Sequence, residues 1–342
     1  MSLLNFNEFK WRAMTAAINQ MYPAPRMLQD MVFKRAMPTA SEYIDVDVKI
    51  GGKMLLPFVS SEAGGTVVSK LGRKMLSVKA PRLRPKKPFT ATELLTERPA
   101  GSAFYGATAG GIQQHRQQKI GEELADLKNR VDWTIEKMCA DALTGTMTCN
   151  QDDVQFAIDY QMPNANKPTL DTKWNATGAD ILGDIDTLAE IIIDALGMAP
   201  DIAICGKNTA KSIMNDTAVK AEFDNRRMGG NQSLSWDVGN TYLGNIRGIK
   251  HYKYGTKYTD LDGNPQNLIP DDAYFLIWTG ARLSIEFGMI NDLDAEAKVV
   301  AEYFSKSWVQ KDPSALWLLA ESRPLPVPWQ PDAIVYVADT QE

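Results

Sequence analysis

The sequence predicts a fold of mixed helices and strands, and three stretches carry this prediction. Strand patterns around residues 43–79 indicate a β-hairpin, and residues 112–143 have the apolar spacing of one long amphipathic helix. From residue 180 onward, helix and strand patterns alternate, which favours an α/β or an α+β arrangement there. A length of 342 residues allows about two or three domains, and we expect two linked ones.

Composition and charge are those of a globular protein, with 44% hydrophobic and 23% charged residues. No apolar run reaches the roughly 18 residues of a membrane helix, and the N-terminus lacks a signal-peptide pattern. We therefore expect a cytoplasmic protein with no membrane partner. Cys139, Cys149 and Cys205 form no CxxC pair, and only two histidines accompany them. The sequence predicts neither a metal site nor a cofactor.

The hairpin prediction depends on two strands and a glycine-rich tip. YIDVDVKI at 43–50 alternates as a half-buried strand does, and its acids Asp45 and Asp47 fall on one solvated face instead of forming a catalytic pair. GG and the strand pattern KMLLPFVS follow, and SEAGGTVV separates them from a second strand near MLSVKAP. The sequence therefore predicts a hairpin arm, which runs into the extended, proline-rich PRLRPKKP.

The long helix is predicted by apolar residues at steps of three and four: Ile120, Leu124, Leu127, Val131, Ile135, Met138 and Ala142. Gly145 supplies its stop. Such a helix would be roughly 40 Å long, at 1.5 Å per residue.

Turn-rich residues 162–180 predict a boundary or a long connection before the second part. There, ILGDIDTLAEIIIDALG predicts a helix ended by Gly197, PDIAIC a short buried strand, and GKNTAKSIMNDTAVKAEF a loop with helices.

Enzyme motifs fail when they are compared residue by residue. CGKNTAK lacks the first glycine and the final Ser or Thr of a phosphate loop, since Asp201 and Asn208 stand there. A calcium-like loop at Asp260 has Pro265 in the place of the turn glycine. A hairpin whose turn contains Asp262-Gly263, between HYKYGTKYT and AYFLIWTG, is the better interpretation. With no nucleophile elbow and no zinc motif, we predict no enzyme, although a carboxylate pair stays open.

KLGRKMLSVKAPRLRPKKPF, residues 70–89, holds eight basic residues and no acidic one, in a chain of net charge −5. Three hypotheses account for this stretch: a solvated charge run, a nucleic-acid-binding arm, or an arm that each copy lays on the acidic face of the next. Residues 70–88 contain no aromatic residue for base stacking, which weighs against the nucleic-acid arm. An arm between copies would weaken in salt.

Four stretches, in their order, carry a family resemblance: residues 43–89, EELADLKNRVDWTIEKMCADALTG, CGKNTAKSIMNDTAVKAEFDNRRMG and YFSKSWVQKDPSALWLLAESRPLPV. With them the chain resembles the tailed-phage major capsid proteins of the lambda-type protein E family. The resemblance covers most of the chain from about residue 30.

This resemblance implies an α+β fold of the Hong Kong 97-like phage capsid type, in which domains interleave along the sequence. Its expected parts are an N-terminal arm at 1–45, an extended β-hairpin E-loop at 46–92, a P-domain at 93–179 whose spine is helix 112–143, an A-domain at 180–300, and a return to the P-domain at 301–342.

The resemblance also implies contacts between subunits. Lys70, Arg73 and Lys74 near the E-loop tip would contact a neighbour's acidic P-domain or spine helix. At the loop base, contacts around threefold positions or with the arm are expected of Arg82, Arg84, Lys86 and Lys87. In an A-domain loop, Arg226 and Arg227 match the family's arginine pair, where a contact around the capsomer axis and an ordinary exposed loop are both open.

The implied function is that of a non-enzymatic major capsid protein in a virion, assembled in the host cytoplasm. Copies would form hexamers and pentamers of an icosahedral shell around non-specifically packaged double-stranded DNA. Because the chain has no room for a scaffolding segment of about a hundred residues before its arm, the resemblance implies a separate scaffold or none. A decoration protein and a portal are the other partners that we expect. The alternatives are a nucleic-acid-binding protein that uses the basic arm and an encapsulin-like compartment shell.

Overall fold

The computed structural model describes residues 11–21, 26–50, 72–90, 93, 109–151, 154–227, 241–260, 262–295, 297–312 and 314–341. These residues form two compact units, and each unit is assembled from three separate segments of the chain. Unit 1 comprises residues 1–44, 79–139 and 284–326, and unit 2 comprises residues 45–78, 140–283 and 327–342. The interleaving agrees with the expectation from the resemblance, and the five predicted segment boundaries stay predictions.

Unit 1 is built around a long helix and a three-stranded antiparallel sheet. Its helices are α1 (Trp11–Gln20), α2 (Met27–Met31) and α3 (Ala109–Leu143), the last four residues of which belong to unit 2. Its strands are β1 (Arg35–Pro38), β4 (Lys86–Thr90), β13 (Leu283–Phe287), β14 (Ile290–Asp292), β15 (Ala297–Val299), β16 (Phe304–Gln310), β17 (Ala315–Glu321) and β18 (Pro324–Pro328), of which the first residue of β13 and the last two of β18 belong to unit 2. The strand orders are β16-β17-β4, β1-β13-β18 and β14-β15.

Helix α3 has 35 residues, so it is about 50 Å long, and its predicted apolar stripe is buried. Gly145, the predicted stop, has a φ of 84°, the left-handed value that glycine adopts without strain. The helix thus begins three residues before the predicted 112 and ends at the predicted 143.

Unit 2 contains a five-stranded sheet of order β19-β12-β7-β9-β8. These strands are β7 (Ile202–Cys205), β8 (Thr241–Ile246), β9 (Ile249–Lys253), β12 (Tyr274–Ile277) and β19 (Ile334–Val337). Helices α4 (Ile181–Leu196), α5 (Lys207–Asn215) and α6 (Thr217–Arg227) contribute to its core. The described part of the unit also contains three strand pairs: β2 (Tyr43–Ile50) with β3 (Gly72–Lys79), β5 (Thr146–Gln151) with β6 (Val154–Asp159), and β10 (Lys257–Thr259) with β11 (Pro265–Asn267). Residues 43, 44 and 79, at the ends of β2 and β3, belong to unit 1.

A buried neutral histidine lies within this sheet. The Nδ1–H of His251 donates to the Ile249 carbonyl at 3.0 Å, so its Nε2 accepts from the Tyr274 hydroxyl at 2.9 Å. Burial lowers the pKa of His251 to about 4, and the one hydrogen bond that favours the charged form does not offset it. His251 is therefore part of the core.

Most predicted elements are confirmed. Strand 43–50 pairs with the second strand, the predicted helix over 181–196 ends at Gly197, and the short strand 202–205 is buried throughout. The strand predicted in KMLLPFVS and the hairpin's glycine-rich tip lie outside the described residues.

The turn at Asp262-Gly263 is confirmed, but its expected second strand is wrong. The strand returning from the turn is β11, whereas AYFLIWTG supplies β12, which pairs with β7 and β19. Every residue of β12 is buried, so the strand suits the middle of a sheet and not an exposed hairpin. Asp260 of the rejected calcium loop accepts hydrogen bonds from the backbone of Asp262 and Asn264 and closes the turn.

Candidate functional site

The proline-rich continuation of the hairpin distributes its basic residues over both faces of the β16-β17-β4 sheet. The backbone of Leu83 forms an antiparallel β-bridge with Ser322, and residues 86–90 pair with β17. Because side chains alternate along an extended chain, residues 82, 84 and 86 lie on one face of the sheet. Lys87 has the opposite orientation. We call the face of residues 82, 84 and 86 the outer face and describe it first.

At one end of the outer face, three arginines converge on one fully buried carboxylate, that of Glu321. Arg82 donates to it twice, from Nε at 2.5 Å and from Nη2 at 2.9 Å. Arg84 Nε lies 3.0 Å and Arg323 Nε 3.9 Å from its oxygens. The hydrogen bonds to Glu321 raise the pKa of Arg82. A buried carboxylate is costly to desolvate, and the three arginines offset that cost by pairing with it.

The cluster extends to a second buried carboxylate, that of Asp292, at the end of β14. Lys306 Nζ lies 2.8 Å from one of its oxygens, and Arg84 Nη2 lies 3.7 Å away. Lys306 also contacts Asp294 at 2.5 Å. Burial alone would lower the pKa of Lys306, but the hydrogen bonds to Asp292 and Asp294 outweigh it and raise the pKa. These ion pairs of Lys306 link strand β16 to the β14-β15 hairpin.

Glu42, just before strand β2, joins the same cluster. Its carboxylate lies 3.2 Å from Arg323 Nη1 and 3.5 Å from Lys79 Nζ, and it accepts a hydrogen bond from Asn291. Desolvation would raise the pKa of Glu42, but Arg323 and Lys79 together lower it. Both ends of the hairpin, residues 42 and 79, are therefore linked by one ion pair at its root.

The remaining loop-base lysines face in opposite directions. Lys87 contacts Glu123 and, at 3.9 Å, Asp126 on helix α3. On the outer face, Lys86 Nζ lies 5.0 Å over the ring of Trp317. Thus Arg82, Arg84, Lys86 and Lys87 all have partners within their own chain, and their predicted role between subunits stays a prediction.

The structure describes the other predicted contact residues only in part. Lys70 lies outside the described residues. Arg73 and Lys74 lie in strand β3, and Arg226 and Arg227 end helix α6, but the structure describes only the backbone of these four. Their predicted contacts with neighbouring subunits stay predictions.

The N-terminal residues that the structure describes are fixed on their own unit. The buried Glu136 of α3 accepts the backbone N–H groups of Leu28 at 2.7 Å and Gln29 at 3.3 Å. Lys128 of α3 donates to the Met21 carbonyl at 2.6 Å. These hydrogen bonds attach the described N-terminal residues to helix α3 of their own chain.

Sequence reasoning missed the acidic half of this cluster: Glu42, Asp292 and Glu321. A signal existed for Glu321, because a single acid ends the apolar strand ALWLLAE two residues before Arg323. Its pairing with Arg84 follows from the antiparallel register, which the sequence does not reveal.

Other kinds of site are not seen in the described part of the chain. No group of three or more His, Cys, Asp or Glu side chains there could hold a metal ion. No described helix is long and apolar enough to span a membrane. All three cysteines are free thiols, and burial raises the pKa of Cys205 to about 12.

Comparisons with known proteins identify the fold. The model of the family described as Phage major capsid protein E matches residues 10–338. No curated protein sequence matches the chain.

Among solved structures, a prophage capsid protein from Escherichia coli CFT073 is similar with a TM-score of 0.72 at 16% identity, covering 96% of this chain and 99% of that one. The capsid subunit of cyanophage A-1(L) has a TM-score of 0.53 at 11% identity, over 94% and 95% of the two chains. The SrpI encapsulin of Synechococcus elongatus PCC 7942 has a TM-score of 0.52 at 10% identity, over 93% and 89%. These likenesses confirm the predicted Hong Kong 97-like α+β capsid fold.

Proposed function

Because the chain belongs to the phage major capsid protein E family, we propose that copies of this shell-forming protein join as hexamers and pentamers of an icosahedral shell, largely through the basic hairpin. The shell encloses double-stranded DNA without sequence preference, and the protein acts in the virion as a structural component and not as an enzyme. A scaffold, a portal and a decoration protein are further partners under this proposal.

The observation that carries the proposal is the family match over residues 10–338. The ion pairs at the two ends of the β2-β3 hairpin support it. Glu42, just before β2, pairs with Lys79 at the end of β3, and the buried carboxylates Glu321 and Asp292 pair with Arg82 and Arg84, which follow β3 in the chain. Ion pairs at the hairpin root hold its two ends together, and complementary charges along the hairpin suit repeated contacts between identical copies.

The hairpin's cations divide into two groups by position. The described side chains near the root, Lys79 to Lys87, have partners inside the chain. The proposal assigns contacts with a neighbour's acidic surface chiefly to the tip-ward Lys70, Arg73 and Lys74. Arg82 and Arg84, with side chains about 40% exposed, can add contacts while they keep their own pairs.

Single contacts of this kind are weak, since exposed ion pairs contribute about 0–1 kcal/mol each. A shell is nevertheless stable because many such contacts form together and each one raises the effective concentration for the next. Screening shortens their range from about 10 Å at 0.1 M salt to about 3 Å at 1 M, so early assembly should be salt-sensitive.

The test compares two triple charge reversals by negative-stain electron microscopy and light scattering, at low and high salt. Lys70→Glu, Arg73→Glu and Lys74→Glu should abolish shells and rings. A matched control, Lys207→Glu, Lys211→Glu and Lys257→Glu, changes net charge equally at exposed positions of unit 2 and should assemble.

Equal assembly by both triple variants would contradict the role of the hairpin. Wild-type chain that stays monomeric and binds DNA with a steep salt slope would instead support the nucleic-acid alternative. Shells that enclose proteins and no DNA would support an encapsulin-like role.

A further inference from the structure

Beyond the ion-pair cluster, the outer face of the sheet ends in two stacked tryptophans. Trp308 of β16 and Trp317 of β17 are cross-strand partners, with ring centroids 6.1 Å apart and planes within 8° of parallel. Exposed Pro88 of β4 lies beside Trp317 in the register, and Lys86 extends over its ring. We call Trp308, Trp317, Pro88 and Lys86 the tryptophan patch.

The patch is an unusual surface for a chain in water. Trp308 is 37% exposed. Tryptophan is enriched at the buried centres of protein interfaces, because its large ring gains much from burial. Further along the same sheet face, Phe304 and Leu319 are fully covered and pack with Ile290, Trp11 and Val299. Among the described residues, cover of this kind ends before the tryptophans, and Trp308 is exposed.

A second apolar feature lies at the tip of the β14-β15 hairpin. Leu293 is 96% exposed, and the neighbouring Asp294 side chain is 64% exposed. We call Leu293 and Asp294 the acidic tip. The tip adjoins the patch, because Lys306 Nζ is 2.5 Å from the Asp294 carboxylate and 5.8 Å from the Trp308 ring.

The acidic tip and the tryptophan patch therefore lie side by side on one surface. Asp294 gives the tip a negative charge, and Lys86 gives the patch a positive one. Among the described residues no carboxylate pairs with Lys86, whose ammonium lies over Trp317. A surface that holds both halves of a contact is self-complementary, because a twofold rotation brings each half onto the other in a second copy.

We propose that this outer face is a twofold contact between two copies of the chain. Each Leu293 packs on the other copy's Trp308 and Trp317, and each Asp294 approaches the other copy's Lys86. The contact is additional to those of the basic hairpin, and it rests on the proposed function, since a shell must also join copies outside its rings.

The first experiment compares Leu293→Asp with Val309→Asp by light scattering and electron microscopy. Val309 is 49% exposed on the same strand as Trp308, but strand alternation puts it on the opposite face. Leu293→Asp should raise the concentration needed for assembly at least tenfold, whereas Val309→Asp should leave it unchanged. Equal effects of the two variants would overturn the contact.

A charge exchange tests the polar half and controls for folding. Lys86→Glu and Asp294→Lys should each weaken assembly, and the double variant should recover most of it, because the pair forms again with reversed sign. Circular dichroism and thermal melts confirm that each chain is folded. A double variant as weak as the sum of its singles would overturn the predicted pairing.

Cysteine trapping tests the contact directly. Leu293→Cys and Trp308→Cys chains, carrying tags of different size, are mixed and oxidised, and a disulfide between the two species requires their Cβ atoms to approach to about 4 Å. A cross-species dimer that the free Cys139, Cys149 and Cys205 do not give alone supports the contact, and its absence in assembled material overturns it.

The outcomes also separate this inference from the proposed function. Wild-type shells that survive Leu293→Asp unchanged overturn only the twofold contact. A wild-type chain that forms no rings or shells overturns both.

Discussion

Replacing Glu321 by glutamine perturbs the centre of the ion-pair cluster without changing side-chain size. Glu321 is fully buried, receives two hydrogen bonds from Arg82, and lies 3.0 Å from Arg84. Removing one partner of a buried ion pair costs about 3–5 kcal/mol, because the remaining charge is left buried without compensation.

For Glu321→Gln, the structure indicates a loss of unfolding free energy at the lower end of that range. The side chains of Arg82 and Arg84 are 38% and 40% exposed, so both can turn to water. Only Arg323, 7% exposed, must remain buried, and it keeps Glu42 at 3.2 Å. We therefore expect Glu321→Gln to destabilise the chain by about 3 kcal/mol, which corresponds to a melting temperature lower by roughly 6–12 °C for a folding unit of about 150–250 residues.

Urea unfolding of the unassembled chain measures this effect, with Glu123→Gln as the matched control. Glu123 pairs with Lys87, but those side chains are 24% and 40% exposed, so its loss should cost only about 0–1 kcal/mol. If Glu321→Gln were no more destabilising than Glu123→Gln, the claim that the buried cluster fastens the hairpin root would be refuted.

Two further predictions concern unit 2 and helix α3. The buried, neutral His251 should cost about 3 kcal/mol of stability as pH falls from about 6.5 to about 4, because the unfolded histidine binds a proton in that window and the folded one does not. His251→Gln should remove that loss in urea titrations at pH 7 and pH 5, and an unchanged pH slope would contradict it. Gly206→Ala should be strongly destabilising, since a Cβ would lie 2.2 Å from the Pro270 carbonyl oxygen, whereas Gly121→Ala meets nothing within 4 Å and should stabilise α3 by roughly 0.5–1 kcal/mol. Thermal melts rank the two alanine variants, and equal melting temperatures would contradict the reasoning.

Local periodicity predicted the elements that are long or bounded by glycine. Helix α3 follows its apolar stripe from Ile120 to Ala142, and helix α4 ends where Gly197 takes a φ of 77°. Such signals lie within a few residues of one another, so they need no knowledge of the tertiary fold.

The candidate site was harder to predict because it depends on long-range register. The period-two basic residues 82, 84 and 86 were visible in the sequence, but Glu321, the partner of Arg82 and Arg84, lies more than 230 residues away. The register of β4 against β17 brings these residues together, and that register follows from packing on both faces of the sheet. AYFLIWTG does form a strand, but its predicted pairing in the hairpin was wrong for a related reason, since burial on both faces of β12 comes from neighbours distant in sequence.

Cryo-electron microscopy of particles made by the wild-type chain tests the central claim most directly. The account predicts closed icosahedral shells in which copies form rings of six and five, with each basic hairpin lying on a neighbouring copy. Uniform monomers at every salt concentration, with or without a co-expressed scaffold, would contradict it.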